Sequence, residues 1–94
     1  MYRDQYHPKV KKDLKKLDKR LRQDIETRHI PAILEQPEHG EELVGDLSGL
    51  RAYHFNYQKQ AYRIAYVMDE TAGMVFVMMI GKRENFYTVL KRRI

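Results

Sequence analysis

One arginine stands out in a stretch that otherwise has the pattern of a core strand. Residues 60–68, QAYRIAYVM, alternate as a β-strand does, and Arg63 shares its face of that strand only with small apolar side chains. Because a guanidinium is always charged, it is rarely buried without a partner. We therefore expect Arg63 to pair with an acid such as Glu84 or Asp69, to be solvated at a concave surface, or to bind an anion.

A histidine is expected beside this arginine. If the loop before the strand is centred on Gln58 and Lys59, the preceding strand AYHFNY places His54 opposite Arg63, with Asn56 on the same face. A shift of one residue in register would break this pairing. A histidine can change its protonation state near neutral pH, which suits a general base, although a single histidine on a strand is more often structural.

A second group of cations follows the next apolar strand. The segment GKRENFY places Lys82 and Arg83 where that strand ends and a helix begins, with Tyr87 about one turn into the helix. A helix N-terminus attracts phosphate, so Arg63 and Arg83 could converge on one phosphate. Tyr87 could donate a proton unaided, or accept one if neighbouring arginines lower its pKa; alternatively it only packs.

The composition is that of a small basic protein. The 94 residues predict one domain, residues 1–94, with a net charge of +5 and an isoelectric point near 9.5. This charge favours a polyanionic partner, which could be nucleic acid, the ribosome or an acidic protein. The chain has no cysteine, its four histidines lack metal-ligand spacing, and it has no glycine-rich phosphate loop. We expect no metal, no cofactor, no membrane span and a cytoplasmic location.

The spacing of apolar residues predicts the elements that must hold these groups. A short N-terminal strand precedes a helical hairpin whose apolar stripe runs from Val10 to Leu34, with Pro31 kinking or restarting the second helix. Residues 52–57, 61–68 and 74–80 then form an antiparallel meander of three strands, and 84–94 form a C-terminal helix. The prediction is a small α+β domain in which helices pack on one face of an antiparallel sheet.

Basic residues cluster on the first helix. Residues 9–22 include eight Lys or Arg against two acids. Such side chains can neutralise RNA phosphates, or they can simply form a solvated helix face. The candidate RNA-binding residues are Lys12, Lys16, Arg51, Asn56, Lys59 and Lys82.

The order of these pieces resembles the RelE/ParE superfamily of toxins from type II toxin–antitoxin systems. The shared features are the lysine-rich helical hairpin, the lead-in LSGLR, the YR strand, the apolar strand that ends in GKR, and a tyrosine in the final helix. The resemblance covers nearly the whole chain. It implies a small bacterial or archaeal toxin that a cognate antitoxin neutralises.

The resemblance also implies site residues, although two branches of the superfamily differ in activity. The RelE-like branch cleaves mRNA in the ribosomal A site, whereas the ParE-like branch poisons DNA gyrase and lacks the nuclease residues. By position, Arg63 matches the arginine of the YR strand, Arg83 that of the GKR motif, and Tyr87 the late tyrosine. The best-known RelE-type enzymes have two lysines where this chain has His54 and Asn56, so His54 is the expected replacement base.

This comparison favours a metal-independent, ribosome-dependent mRNA endonuclease, with a gyrase inhibitor as the alternative. The expected chemistry is attack by the RNA 2′-OH, which leaves a 2′,3′-cyclic phosphate. The implied partners are mRNA, the ribosome and a RelB-like, partly disordered antitoxin. A heterotetramer is one arrangement that the toxin–antitoxin complex could take.

Overall fold

A five-stranded mixed sheet forms the centre of the computed structural model, which describes all 94 residues. The strands are β1 (Arg3–Tyr6), β2 (Glu41–Glu42), β3 (Arg51–Tyr57), β4 (Gln60–Asp69) and β5 (Met74–Lys82), in the spatial order β1-β5-β4-β3-β2. The predicted meander β3-β4-β5 is antiparallel, β2 is an added antiparallel edge, and β1 pairs in parallel with β5. The α+β prediction is confirmed, and the parallel N-terminal strand makes the sheet mixed.

The helical region divides at a point that the apolar spacing did not indicate. It consists of α1 (Val10–Lys15), α2 (Lys19–Asp24), a π-helical turn (Ile25–His29) and α3 (Ile30–Glu35), and the chain ends in α4 (Phe86–Arg93). The side chain of Asp18 accepts a hydrogen bond from the Leu21 N–H at 2.8 Å, so α2 starts at Asp18 rather than continuing from α1. An aspartate at this position satisfies an amide that the first helical turn leaves free.

Pro31 restarts the second helix, as predicted. The π-helical turn Ile25–His29 lies directly before it, and α3 begins at Ile30 with Pro31 in its first turn. Proline has no N–H and is tolerated at the start of a helix, where that donor would be unpaired in any case. The wider turn therefore joins α2 to α3 without a break in the chain direction that would expose the apolar stripe.

The sheet is covered on both faces. On β4, Tyr62 and Ile64 point into the larger core under α1–α3, whereas Ala65 points into a smaller core with Phe86 and Leu90 of α4. The expectation that all helices pack on one face was wrong. Because β4 and β5 carry apolar side chains on both faces, each face needs its own cover.

A bulge interrupts the pairing of β4 with β5. Tyr66 pairs with Val77, whereas Ala65 pairs with Met79, so Met78 is an extra residue in β5. A bulge bends a strand and changes the partner of every residue beyond it. The shifted register includes Arg63, which lies beyond the bulge and pairs with Gly81.

Candidate active site

Arg63 lies in the middle of β4, on the face of the smaller core, and has no acidic partner. Its side chain forms no ion pair or hydrogen bond, and its Nε is buried without an acceptor. The two acids considered as partners are engaged elsewhere: Asp69 accepts from the Ala72 N–H, and Glu84 from the Gln60 amide. A buried, unsatisfied N–H of a charged group is costly, and an oxyanion would satisfy it.

The bulge in β5 places a glycine beside this arginine. Gly81 pairs with Arg63, whereas an unbroken register from the other end of the strand would bring Ile80 to that position. Ile80 instead points into the larger core on the opposite face. A Cβ at position 81 would lie 3.8 Å from the Phe86 ring, so the glycine lets this ring pack close to the strand beside Arg63.

The predicted position of His54 is confirmed. Tyr57 pairs with Gln60 across a two-residue turn, so His54 lies directly opposite Arg63. The two turn residues both adopt left-handed backbone conformations, with φ of 49° for Gln58 and 68° for Lys59. Such angles at two successive positions are those of the type I′ hairpin, the turn whose twist matches the flanking strands.

Glu41 is a site residue that the sequence analysis missed. It pairs with Ala52 in the β2–β3 ladder, which places it on the same face as His54, and its Oε1 lies 3.0 Å from His54 Nε2. Both side chains remain substantially exposed. The segment EQPEHGEE carries several acids with no periodicity, so only the register of β2 reveals which one meets the histidine.

Tyr87 lies in the first turn of α4 and reaches the same face. The Cζ atom of Arg63 lies 5.1 Å from the centre of the Tyr87 ring, which is within the range of a cation–π contact. Burial raises the pKa of the Tyr87 hydroxyl, Arg63 lowers it in part, and Glu41 raises it further. Arg63 thus lowers the pKa of Tyr87 as expected, but burial outweighs it and the net shift is upward. The phenol therefore suits proton donation rather than the role of a base.

Arg83 follows β5 at the edge of this face. Its side chain is 62% exposed, and its Nε lies 4.0 Å from the Glu84 Oε2, a loose contact. Its backbone N–H donates to the Ala61 carbonyl at 3.0 Å, and its carbonyl accepts from the Phe86 N–H at 3.2 Å. The backbone at Arg83 is therefore fixed while the guanidinium is free to move; its convergence with Arg63 on one phosphate stays a prediction.

The candidate RNA-binding residues lie in different environments. Arg51 points to the other face, where it donates to the carbonyls of Glu38 and Gly40 and to the Glu42 carboxylate, so it holds the chain before β2 in place. The exposed candidates are Lys12, Lys16, Asn56, Lys59 and Lys82. Of these, Lys16 and Lys82 line a cleft of about 350 Å³ between α1 and α4.

The structure contains neither a cluster of metal-binding side chains nor a membrane-spanning helix. No three metal-binding side chains come together anywhere in the molecule. No helix has the length and apolar character needed to cross a lipid bilayer. The face described above offers the Arg63 guanidinium, the His54 imidazole beside the Glu41 carboxylate, and the Tyr87 phenol.

Comparison with known proteins identifies the family. The sequence model described as the ParE-like toxin of type II bacterial toxin–antitoxin systems matches residues 5–91. The chain belongs to this family. No curated protein matches the sequence.

Solved structures similar to this ParE-like toxin are RelE proteins. The RelBE2 toxin–antitoxin complex of Mycobacterium tuberculosis aligns with a TM-score of 0.76 at 20% identity, covering 87% of this chain and 98% of that chain. A free Escherichia coli RelE toxin with two arginines replaced by alanine gives 0.76 at 23% identity, covering 99% and 97%. The same mutant bound to a peptide of the antitoxin RelB gives 0.70 at 24% identity, covering 99% and 97%. These structures share the fold, and the RelE/ParE resemblance seen in the sequence is confirmed.

Proposed function

We propose that this ParE-like toxin is a ribosome-dependent mRNA endonuclease. The observation that carries the proposal is Arg63, whose buried Nε has no partner and which shares one face with His54 and Tyr87. A toxin that acted only through a protein interface would not require an unpaired guanidinium between an imidazole and a phenol. The similarity of the fold to RelE toxins supports the same branch.

The reaction needs no metal because RNA carries its own nucleophile. A base must take the proton of the 2′-OH, cations must stabilise the charge on the five-coordinate phosphate, and an acid must protonate the leaving 5′-oxygen. We assign the base to His54, with the Glu41 carboxylate beside it to stabilise the imidazolium that forms. Arg63 and Arg83 stabilise the phosphate.

Tyr87 is assigned the role of general acid. Burial keeps its hydroxyl protonated by raising its pKa, and its ring lies against Arg63, which would hold the scissile phosphate. Proton transfer to the leaving oxygen then occurs beside the group that neutralises the phosphate. Exposed cations at Lys12, Lys16, Lys59 and Lys82 contribute contacts to ribosomal or messenger RNA.

An in vitro translation reaction with primer extension on the mRNA tests the proposal. We expect cleavage that requires ribosomes and leaves a 2′,3′-cyclic phosphate upstream and a 5′-hydroxyl downstream. An mRNA with a 2′-methoxy group at the scissile position should remain intact because the nucleophile is blocked. Products with a 5′-phosphate, or cleavage of the 2′-methoxy mRNA, would exclude this mechanism.

A gyrase inhibitor without nuclease activity is the second candidate, and the ParE-like description of the matching family favours it. A gyrase supercoiling assay run beside the translation assay separates the two. If supercoiling is inhibited while the mRNA stays intact, the protein is a gyrase inhibitor and not a nuclease. In that case Arg63 would be expected to serve the protein interface.

The proposed setting is the cytoplasm, with a RelB-like antitoxin as the partner. Two of the similar structures contain an antitoxin or a peptide from one, which supports a neutralising partner of this kind. A basic surface with an open arginine suits an acidic segment that orders on binding. The heterotetrameric stoichiometry stays a prediction that the mass of the purified complex would decide.

A further inference from the structure

One ion pair in this molecule is buried, and it lies outside the candidate active site. Asp13 of α1 is the only buried charged residue of the chain, and its carboxylate faces Arg93 near the end of α4. The guanidinium donates twice, from NH1 to Oδ2 at 2.7 Å and from NH2 to Oδ1 at 2.9 Å. The two side chains are only 8% and 9% exposed. This two-point geometry makes the pair strong and directional.

The pair closes an open edge of the sheet. Strand β4 pairs with one side of β5 along its whole length, but β1 covers the other side only as far as Val77. The backbone groups that point to this second side beyond Val77 have no strand partner. The Ile80 N–H donates to Asp13 Oδ2 at 3.1 Å, and the Met78 carbonyl accepts from Arg93 NH1 at 2.9 Å. The ion pair thus satisfies a donor and an acceptor of β5, and ties α1 on one face to α4 on the other.

Helix α4 depends on such contacts to keep its position. It has only eight residues, too few for a stable helix in isolation, and no side chain caps its N-terminus. Phe86 and Leu90 bury the apolar side of the helix in the smaller core. The hydrogen bonds of Arg93 to Asp13 add a polar contact at its C-terminal end. Tyr87 precedes Arg93 by six residues, which is about 9 Å along a helix. A shift at Arg93 would therefore be transmitted to the phenol.

We propose that Asp13 and Arg93 are positioning residues that hold Tyr87 against Arg63. The proposal rests on the nuclease function for its effect on rate, but the placement of Tyr87 can be measured without RNA. The pair holds the C-terminal end of α4 against β5, and through β5 it fixes the position of the helix on the sheet. Loss of the brace lets α4 tilt or slide on the sheet, and the phenol leaves the guanidinium.

A double-mutant cycle tests the effect on rate. Arg93→Gln should lower the single-turnover cleavage rate on ribosomes about 10-fold to 100-fold, as a displacement of roughly 1 Å does in other enzymes. In a Tyr87→Phe background the same change should have little further effect, because the hydroxyl that it misplaces is already gone. Equal losses in both backgrounds would overturn the proposal, since a general loss of structure would slow both proteins alike.

An NMR titration of isotope-labelled tyrosine tests the placement directly. In the native protein burial raises the pKa of Tyr87, so after Arg93→Gln its pKa should fall toward the ordinary value. Arg92→Gln, which removes the same charge from an exposed neighbouring position, is the matched control and should leave the titration unchanged. If Arg93→Gln does not fold, Arg93→Lys keeps the charge but not the paired donors, and should give a smaller shift in the same direction. An unchanged titration in a folded variant would overturn the proposal, whereas a wild type that cleaves nothing would count against the nuclease function alone.

Discussion

The two arginines of the candidate active site have no close acidic partner within the chain. Arg63 has a buried nitrogen without an acceptor, and Arg83 has only a loose contact with Glu84. The unsatisfied N–H of Arg63 is costly in the free protein, and under the proposed function a phosphate oxygen would satisfy it. Arg51 shows the contrast: the same residue type on the other face is saturated by two carbonyls and a carboxylate. We therefore expect Arg63 to bind an anion and Arg51 to be structural.

Replacing Arg63 should separate function from stability. Arg63→Ala should change the free energy of unfolding by no more than about 1 kcal/mol, because no acid is left unpaired by the change. The cleavage rate should fall on the order of 10²-fold or more, since a charge aimed at the transition state is lost. Urea denaturation and primer extension on the same preparation provide both values. A loss of several kcal/mol would instead identify Arg63 as a structural residue.

The Glu41–His54 contact predicts a difference between two adjacent glutamates. Glu41→Gln should slow cleavage about 10-fold or more, because the imidazolium formed during proton transfer loses its counter-charge. Glu42→Gln is the matched control, since Glu42 contacts Arg51 on the opposite face and should leave the rate nearly unchanged. Single-turnover rates at saturating ribosome concentration decide the point. Equal rates for the two variants would remove Glu41 from the site.

At the scale of elements, three local irregularities place the site residues. The β3–β4 turn fixes the register that brings His54 to Arg63. The bulge in β5 brings Gly81 to the position beside the guanidinium. The π-helical turn carries His29, whose ring stacks on Phe55 at 4.0 Å and whose Nδ1 lies 2.8 Å from the Tyr53 hydroxyl. These contacts attach the π-helical turn between α2 and α3 to β3, the strand that carries His54.

The His29 contact predicts a dependence of stability on pH. Burial, and then the nearby Arg28, lower the pKa of His29 in the folded protein. A group with a lowered folded pKa binds protons more readily in the unfolded chain, so its contribution is present above the unfolded value, near 6.5, and is lost as the pH falls. The free energy of unfolding in urea should therefore decrease from about pH 7.5 to about pH 5.5.

Removal of the titrating ring should reduce that decrease. His29→Phe keeps the stacking on Phe55 but cannot be protonated, so the variant should lose less stability over the same pH interval. His39→Gln serves as the control, because His39 is exposed and the wild-type decrease should persist. An identical pH dependence in His29→Phe and the wild type would show that other groups cause it.

At the scale of the whole molecule, the distribution of charge is the main determinant of partners. The net charge is +5, and the lysines of α1 and the basic end of α4 contrast with the acids around β2. A basic surface of this kind suits the RNA and the acidic antitoxin proposed as partners, because lysine and arginine neutralise negative charge. Added salt should weaken both interactions.

The partner prediction is that a short protein encoded beside this gene neutralises the toxin. Co-expression should give a complex of nanomolar affinity, and an acidic, partly disordered segment of the partner should cover Arg63 and Arg83 or displace α4. Pull-down followed by hydrogen exchange would show protection of these regions in the complex. Expression of the chain alone without growth arrest, together with no binding to a neighbouring gene product, would contradict the prediction.

The sequence by itself determined the periodic parts of this protein. Alternation predicted β3, β4 and β5, helical spacing predicted the helical region and α4, and Pro31 marked where α3 begins, because side-chain period follows directly from backbone geometry. The predicted hairpin register, and with it the pairing of His54 with Arg63, is confirmed. The segment GKRENFY supplied Arg83 and Tyr87 as candidates, and the family resemblance matched both to its own motifs.

The tertiary structure decided what depends on contacts between distant segments. The two-residue strand β2 is too short to leave a pattern, so Glu41 could be assigned to His54 only once β2 was paired with β3. Burial, which sets the direction of the Tyr87 pKa, arises only when α4 packs on the second face. The Asp13–Arg93 pair joins residues 80 positions apart, and a local pattern carries no information about a pairing at that separation.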